Sequence, residues 1–148
     1  MMNLDLFGKI PFFETFSEEQ LHRLYPLTER RVYKQGETIR SQGDINFELC
    51  FLLEGAVDVE VDDQFVVTIT EFGEIFGEMS IAQHTTSTAT VLARSECTML
   101  VLNFQELQQS LIGPEREAVL KNFYKACSEI LAKKLIRTNQ IAKTFKAK

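Results

Sequence analysis

Val57-Asp58-Val59-Glu60-Val61-Asp62-Asp63-Gln64-Phe65-Val66-Val67-Thr68-Ile69 is the segment that tells a sheet from a bundle in this chain. Its first five residues alternate apolar and acidic, the period-two pattern of a strand with one wet face. Asp62-Asp63-Gln64 is a polar break of hairpin length, so a second strand is expected to return from Phe65. Outward from this hairpin the same texture runs from Val32 to Leu102, with Cys50–Leu53, Thr90–Ala93 and Met99–Leu102 as further short β-type runs. Gly36, Gly43, Gly55, Gly73 and Gly77 fall between the runs, where turns form. The region is expected to be all-β, its short strands wrapped into a sandwich or jelly roll.

Helical signals flank it. Ser17 stands where an N-cap would, Gln20 three residues on completes a capping box, and Phe16 with Leu21 has the spacing of a hydrophobic staple. Upstream, Leu6, Phe7, Ile10, Phe12 and Phe13 are too apolar for a loose tail and predict a short helical or turn segment docked on the body. After Leu111 the pattern changes to helix: Gly113-Pro114 at the entry, Glu115 and Glu117 in the first turn, lysines at 143, 146 and 148 at the far end. An uninterrupted stretch from Pro114 to about Ala142 predicts roughly 29 residues and about 43 Å of helix. Its stripe of Val119, Leu120, Phe123, Tyr124, Cys127, Ile130, Leu131, Leu135, Thr138, Ile141 and Phe145 is wide enough to touch both the body and a second helix. The expected division is therefore a body over residues 1–112 and a long C-terminal helix over 113–148 of the same domain. A homodimer paired through residues 114–142 is expected from it.

With 148 residues, 45% hydrophobic and 25% charged, the chain has the size and balance of one globular domain. No window is apolar enough to cross a membrane, and the N-terminus lacks a signal-peptide pattern, so the expected location is the cytoplasm. Cys50, Cys97 and Cys127 are odd in number, far apart and without a C-x-x-C pair, which fits reduced core thiols rather than disulfides or a metal site. Residues 1–112 hold 7 Lys+Arg against 18 Asp+Glu, while residues 113–148 hold 9 against 3. The body is acidic and the tail basic, so any contact with nucleic acid or an anionic membrane would run through the tail. There is no G-x-S-x-G, H-E-x-x-H or Walker loop, and His22 and His84 have no Cys or Ser at a motif spacing. No enzyme and no cofactor are expected.

The chemistry concentrates in Phe72-Gly73-Glu74-Ile75-Phe76-Gly77-Glu78-Met79-Ser80-Ile81 and the hydroxyl-rich Thr85-Thr86-Ser87-Thr88 that follows. A glycine followed by a helix-compatible segment lets a ligand approach backbone N–H groups, which suits an anion. Glu78 would not favour that anion; an acid there can accept hydrogen bonds from a ligand hydroxyl, as acids do for ribose.

These residues resemble the cyclic nucleotide-binding domain of the catabolite activator protein, kinase and channel family. The resemblance covers nearly the whole chain and lies in an ordered set: Gly36 to Asp44, Phe51 to Val57 with Gly55, Phe76-Gly77-Glu78-Met79-Ser80-Ile81, and Ala89-Thr90-Val91. It implies a mainly β fold, a double-stranded β-helix or jelly roll of eight strands with flanking helices, whose long C-terminal helix dimerises and closes over the ligand. It implies that Glu78 meets the ribose 2′-hydroxyl and that Gly77 and Met79 offer backbone groups to the sugar or cyclic phosphate. Thr88 falls at a phosphate-contacting hydroxyl, and Thr138 and Asn139 at a polar pair that contacts the base. The family's phosphate-binding arginine falls at Ser87, and Arg94 on the following strand cannot stand in for it.

Losing that charge removes on the order of a hundredfold in affinity for an anionic ligand. Three readings stay open: weakened or altered binding of a cyclic nucleotide such as cAMP or cGMP, a different ligand in the same pocket, and a ligand-free dimerisation or docking scaffold for a partner protein. The family's transcription factors carry a DNA-reading domain after the long helix. The chain stops at Lys148, so no direct, specific DNA binding is expected.

Overall fold

The computed structural model describes residues 3–78 and 86–146, without the side chains at 138, 141, 142 and 144–146. The order is α1 (Leu4–Gly8), a 3-10 turn at Pro11–Phe13, α2 (Glu18–Leu24), a second 3-10 turn at Tyr25–Leu27, β1 (Thr28–Tyr33), β2 (Thr38–Arg40), β3 (Glu48–Glu54), β4 (Val57–Val61), β5 (Gln64–Ile69), β6 (Ile75–Phe76), β7 (Thr90–Ala93), β8 (Cys97–Asn103), α3 (Phe104–Ser110) and α4 (Gly113–Lys146). Two antiparallel four-stranded sheets, ordered β1-β8-β3-β6 and β2-β7-β4-β5, form the expected roll.

β3 and β8 lie at the centre of the first sheet and are apolar on both faces, each face covered by a different layer. Cys50, Leu52, Met99 and Val101 point to the second sheet and pack with Val57, Val91 and Ala93. The alternate residues Leu49, Phe51, Leu100 and Leu102 point to a helical layer built from Phe7, Ile10, Phe12, Phe13, Phe104 and Phe123. Phe12 has its ring centroid 5.5 Å from Phe51 and 5.0 Å from Phe123, so one N-terminal ring joins sheet and C-terminal helix.

Local signals mostly hold. Ser17 caps α2 and closes the capping box with Gln20. The β4–β5 loop has two residues rather than three: Asp62 and Asp63 both have positive φ (53° and 63°), as a primed hairpin turn requires, and Gln64 already pairs with Val61.

α4 spans 34 residues, further than the expected end near Ala142. Its buried face is Val119, Phe123, Ala126 and Cys127, all in its first half. Arg23 meets Glu115 at 3.0 Å and the Asn122 amide donates to Gln20 at 2.9 Å, tying that half to α2. Beyond it the helix leaves the core: Leu135 of the stripe is 61% exposed, and Ile136 beside it 57%. No helix among the described residues is long and apolar enough to cross a membrane.

Candidate functional site

β6 is two residues long because Gly77 ends it. Ile75 and Phe76 pair with Phe51 and Cys50 and are buried, and the chain then turns through Gly77 at φ +99°. A Cβ there would lie 2.5 Å from the Glu48 carbonyl oxygen and 2.7 Å from Arg40 Nη1. Only glycine fits that conformation and that approach together.

Glu78, the next residue, is 3% exposed. Its carboxylate accepts from Lys134 Nζ of α4, and the same ammonium donates to the Ile75 carbonyl at 2.8 Å. One turn further along α4, Arg137 reaches Glu74 at 3.3 Å, an exposed pair of small energetic weight. Residues three apart share a helix face, so Lys134 and Arg137 strap α4 across the β6 segment. Burial first, and then the negative charge of Glu78, push the Cys127 thiol up to about 12.

The far end of the same segment is Ser87. Its backbone is held by the Gly43-Asp44 turn, with Gly43 N donating to Ser87 O at 2.8 Å and Ser87 N to Asp44 O at 2.9 Å. Its side chain is 5% exposed and accepts from Arg40 Nε at 2.7 Å. Arg40 closes β2, where a register irregularity between Thr38 and Arg40 interrupts the pairing with β7. A bulge of this kind re-aims a side chain, and Arg40 is 5% exposed where Thr38 is exposed. Its Nη1 donates to the Glu48 carbonyl at 2.7 Å and its Nη2 to the Asn46 carbonyl at 3.4 Å. A guanidinium thus stands between Gly77 at one end of the segment and Ser87 at the other.

The sequence readings meet this geometry unevenly. Gly77, Glu78 and Ser87 come together around two cations, and Thr88 is exposed beside Ser87. Met79, the short helix expected after it, and His84 lie outside the described residues. Thr138 lies one turn after Lys134 along α4 with its side chain outside the described residues, and Asn139 is exposed. Arg94 points away from the segment, 3.3 Å from Asp58 on the solvent side. Sequence reasoning passed over both cations of the site. Arg40 had one signal, a charged residue on a short strand between Ile39 and Ser41, but the bulge that turns it inward has none. Among the described residues no cluster of His, Cys, Asp and Glu is placed to hold a metal.

The family profile described as "Cyclic nucleotide-binding domain" matches residues 30–112, more than half of the chain. The chain belongs to that family of ligand-binding domains. It is 26% identical to the cAMP-dependent protein kinase type II regulatory subunit of Drosophila melanogaster, over 80% of this chain and 32% of that one. The catabolite activator protein of Thermus thermophilus superposes with a TM-score of 0.70 at 20% identity, covering 92% of this chain and 63% of that one. The regulatory subunit of a cAMP-independent protein kinase A from Trypanosoma brucei does so with a TM-score of 0.64 at 21% identity, covering 93% and 44%. At these identities the two structures establish the fold alone. The chain spans about a third, or less, of the length of the curated relatives it matches.

Proposed function

We propose that this chain is a regulatory module that binds a cyclic nucleotide such as cAMP or cGMP and transmits the event through α4. In this reading the body over residues 1–112 receives the ligand and the helix over 113–148 relays it. Gly77, Glu78, Met79, Ser87 and Thr88 surround the sugar and cyclic phosphate, and Thr138 and Asn139 read the base. No step of catalysis is involved, and three buried free cysteines suit a reducing cytoplasm.

The observation that carries the reading is the buried Glu78 carboxylate held by Lys134 of α4. A ribose hydroxyl donating to Glu78 competes with Lys134 for the same oxygens. Ligand and helix are then linked, because the ligand favours the arrangement in which Lys134 has moved aside. Exposed Leu135 and Ile136 support pairing of α4 with α4 of a second copy, which would let both copies respond together.

Isothermal titration and thermal shift of the chain with cAMP and cGMP test the proposal. Saturable heat is expected, and at a hundred times the dissociation constant the ligand should add about 2.7 kcal/mol of stability. No heat and no shift at millimolar cAMP and cGMP would overturn it. That result would leave a ligand-free dimeric scaffold that docks a partner protein, a reading favoured by Glu78 already being satisfied from within the chain.

A further inference from the structure

Two exposed surfaces of this chain are complementary and do not cover one another. The first is the β4–β5 hairpin at the edge of the second sheet, where Phe65 is 60%, Val66 56% and Val67 42% exposed. From Val57 to Glu71 the sequence holds five acids and no Lys or Arg. Asp58 is matched by Arg94 at 3.3 Å, so Glu60, Asp62 and Asp63 carry the charge left to a partner. Glu60 stands directly opposite Phe65, which puts an acid and an exposed ring side by side on one face.

The second is the outer half of α4. From Ile130 to Lys148 the sequence holds six Lys and Arg and no acid. Ile136 is 57% exposed, with exposed Lys133 three residues before it and exposed Lys143 seven after, on the same side of the helix. Leu135 precedes it by one residue and so points about 100° away. A second copy's α4 lying along Leu135 leaves the Ile136 side open.

An apolar edge rimmed with acid and a helix face rimmed with base fit each other in charge and in kind. Other occupants fit the hairpin less well. A second hairpin would set Asp62 and Asp63 against their own copies. Strand addition at β5 is hindered by the register irregularity opposite Val59 and Glu60, which leaves Val66 out of the pairing. The hairpin tip is also held in advance: Gln42 Nε2 donates to Asp62 Oδ1 at 2.9 Å and Gln42 Oε1 accepts from Asp62 N at 2.8 Å, so docking orders little new chain.

We propose that the β4–β5 hairpin of one copy docks on the Lys133, Ile136 and Lys143 face of α4 of a second copy, and that the reciprocal contact closes the pair. The inference rests on the pairing through α4 proposed above and deepens it: a two-fold arrangement makes the hairpin contact twice, each copy giving one helix and receiving one.

The test measures the dimer dissociation constant of the full chain by sedimentation, in the native form, in Glu60→Lys/Asp63→Asn on the hairpin and in Lys133→Glu/Lys143→Glu on the helix. Asparagine tolerates the positive φ of position 63. Each variant alone should dimerise about tenfold more weakly than the native chain. A mixture of the two should form a heterodimer tighter than either homodimer, since both of its hairpin contacts then join opposite charges. Native-like dimerisation of the hairpin variant overturns the proposal and leaves α4 paired with α4; a native chain that stays monomeric at millimolar concentration overturns both. Should these variants fail to fold, Phe65→Cys/Ile136→Cys is oxidised instead, the three native thiols being buried. Peptide mapping should find position 65 of one copy joined to position 136 of the other, and a chain in which that cross-link does not form overturns the inference.

Discussion

Lys134 and Glu78 are 56 residues apart, and their ion pair joins the buried acid of the β6 segment to the partly exposed middle of the C-terminal helix. The two ends of the pair are unequal: the Glu78 side chain is 5% exposed and that of Lys134 is 30% exposed. This asymmetry decides which partner the domain can lose.

Lys134→Met leaves a buried carboxylate without its cation, whereas Glu78→Gln leaves an ammonium that can turn to water. The expected costs are about 1–3 kcal/mol for Lys134→Met and under about 1 kcal/mol for Glu78→Gln. Urea denaturation of both variants checks the order. Equal losses would mean that the pair acts as a surface contact.

Gly77→Ala and Gly43→Ala separate conformational strain from collision. Both glycines have positive φ, +99° and +88°, but an added Cβ at Gly43 meets nothing within 4 Å while one at Gly77 meets the Glu48 carbonyl and Arg40. Gly43→Ala is expected to cost about 1–2 kcal/mol and Gly77→Ala at least about 3 kcal/mol. Melting temperatures compared at equal protein concentration read the difference.

Ser87→Arg places a second guanidinium against Arg40. Two like charges in a nearly dry site repel, so the variant is expected to melt lower than the native chain rather than to gain affinity. Combining it with Arg40→Met should restore most of the lost stability. A double-mutant cycle by chemical denaturation should give a favourable coupling between the two changes, and an additive cycle would mean that the side chains do not meet.

Alkaline pH should weaken the fold through two thiols. Burial pushes Cys50 up to about 11, against the opposing charge of Arg40, and Cys127 up to about 12, from an ordinary value of 9.0. Both folded values are raised, so their contribution is fully present below pH 9, where neither state ionises. It is lost as pH rises from 9 to 12, because the unfolded chain releases the protons first. The denaturation midpoint should fall across that window, and Cys50→Ala with Cys127→Ala should flatten the fall.

Much of the fold was legible in short stretches. Val57–Val61 announced its strand by alternation, Ser17 and Gln20 their capping box, and Asp62-Asp63 the hairpin, because periodicity, capping and turn geometry are properties of consecutive residues. Gly77 and Glu78 stood out for the same reason: a glycine beside an acid between two elements is a local pattern, and the structure places the glycine at positive φ and the acid in a buried position. The helix expected from Pro114 to about Ala142 runs on to Lys146, since no proline or glycine follows to stop it and lysines in a last turn suit the helix dipole.

What the amino-acid order by itself determined was therefore the element types, the apolar faces and the position of the Gly77–Ser87 segment. The charges that meet this segment were decided only by the tertiary structure. Arg40 arrives beside Ser87 through the β2–β7 pairing and its bulge, and Lys134 beside Glu78 through the crossing of α4 over β6. Both juxtapositions depend on strand register and helix placement. The placement of α4 goes with burying Phe12, Phe51 and Phe123 together, and the β2–β7 pairing with packing Ile39, Val57, Val91 and Ala93 between the sheets, cooperative results that no window of neighbouring residues contains.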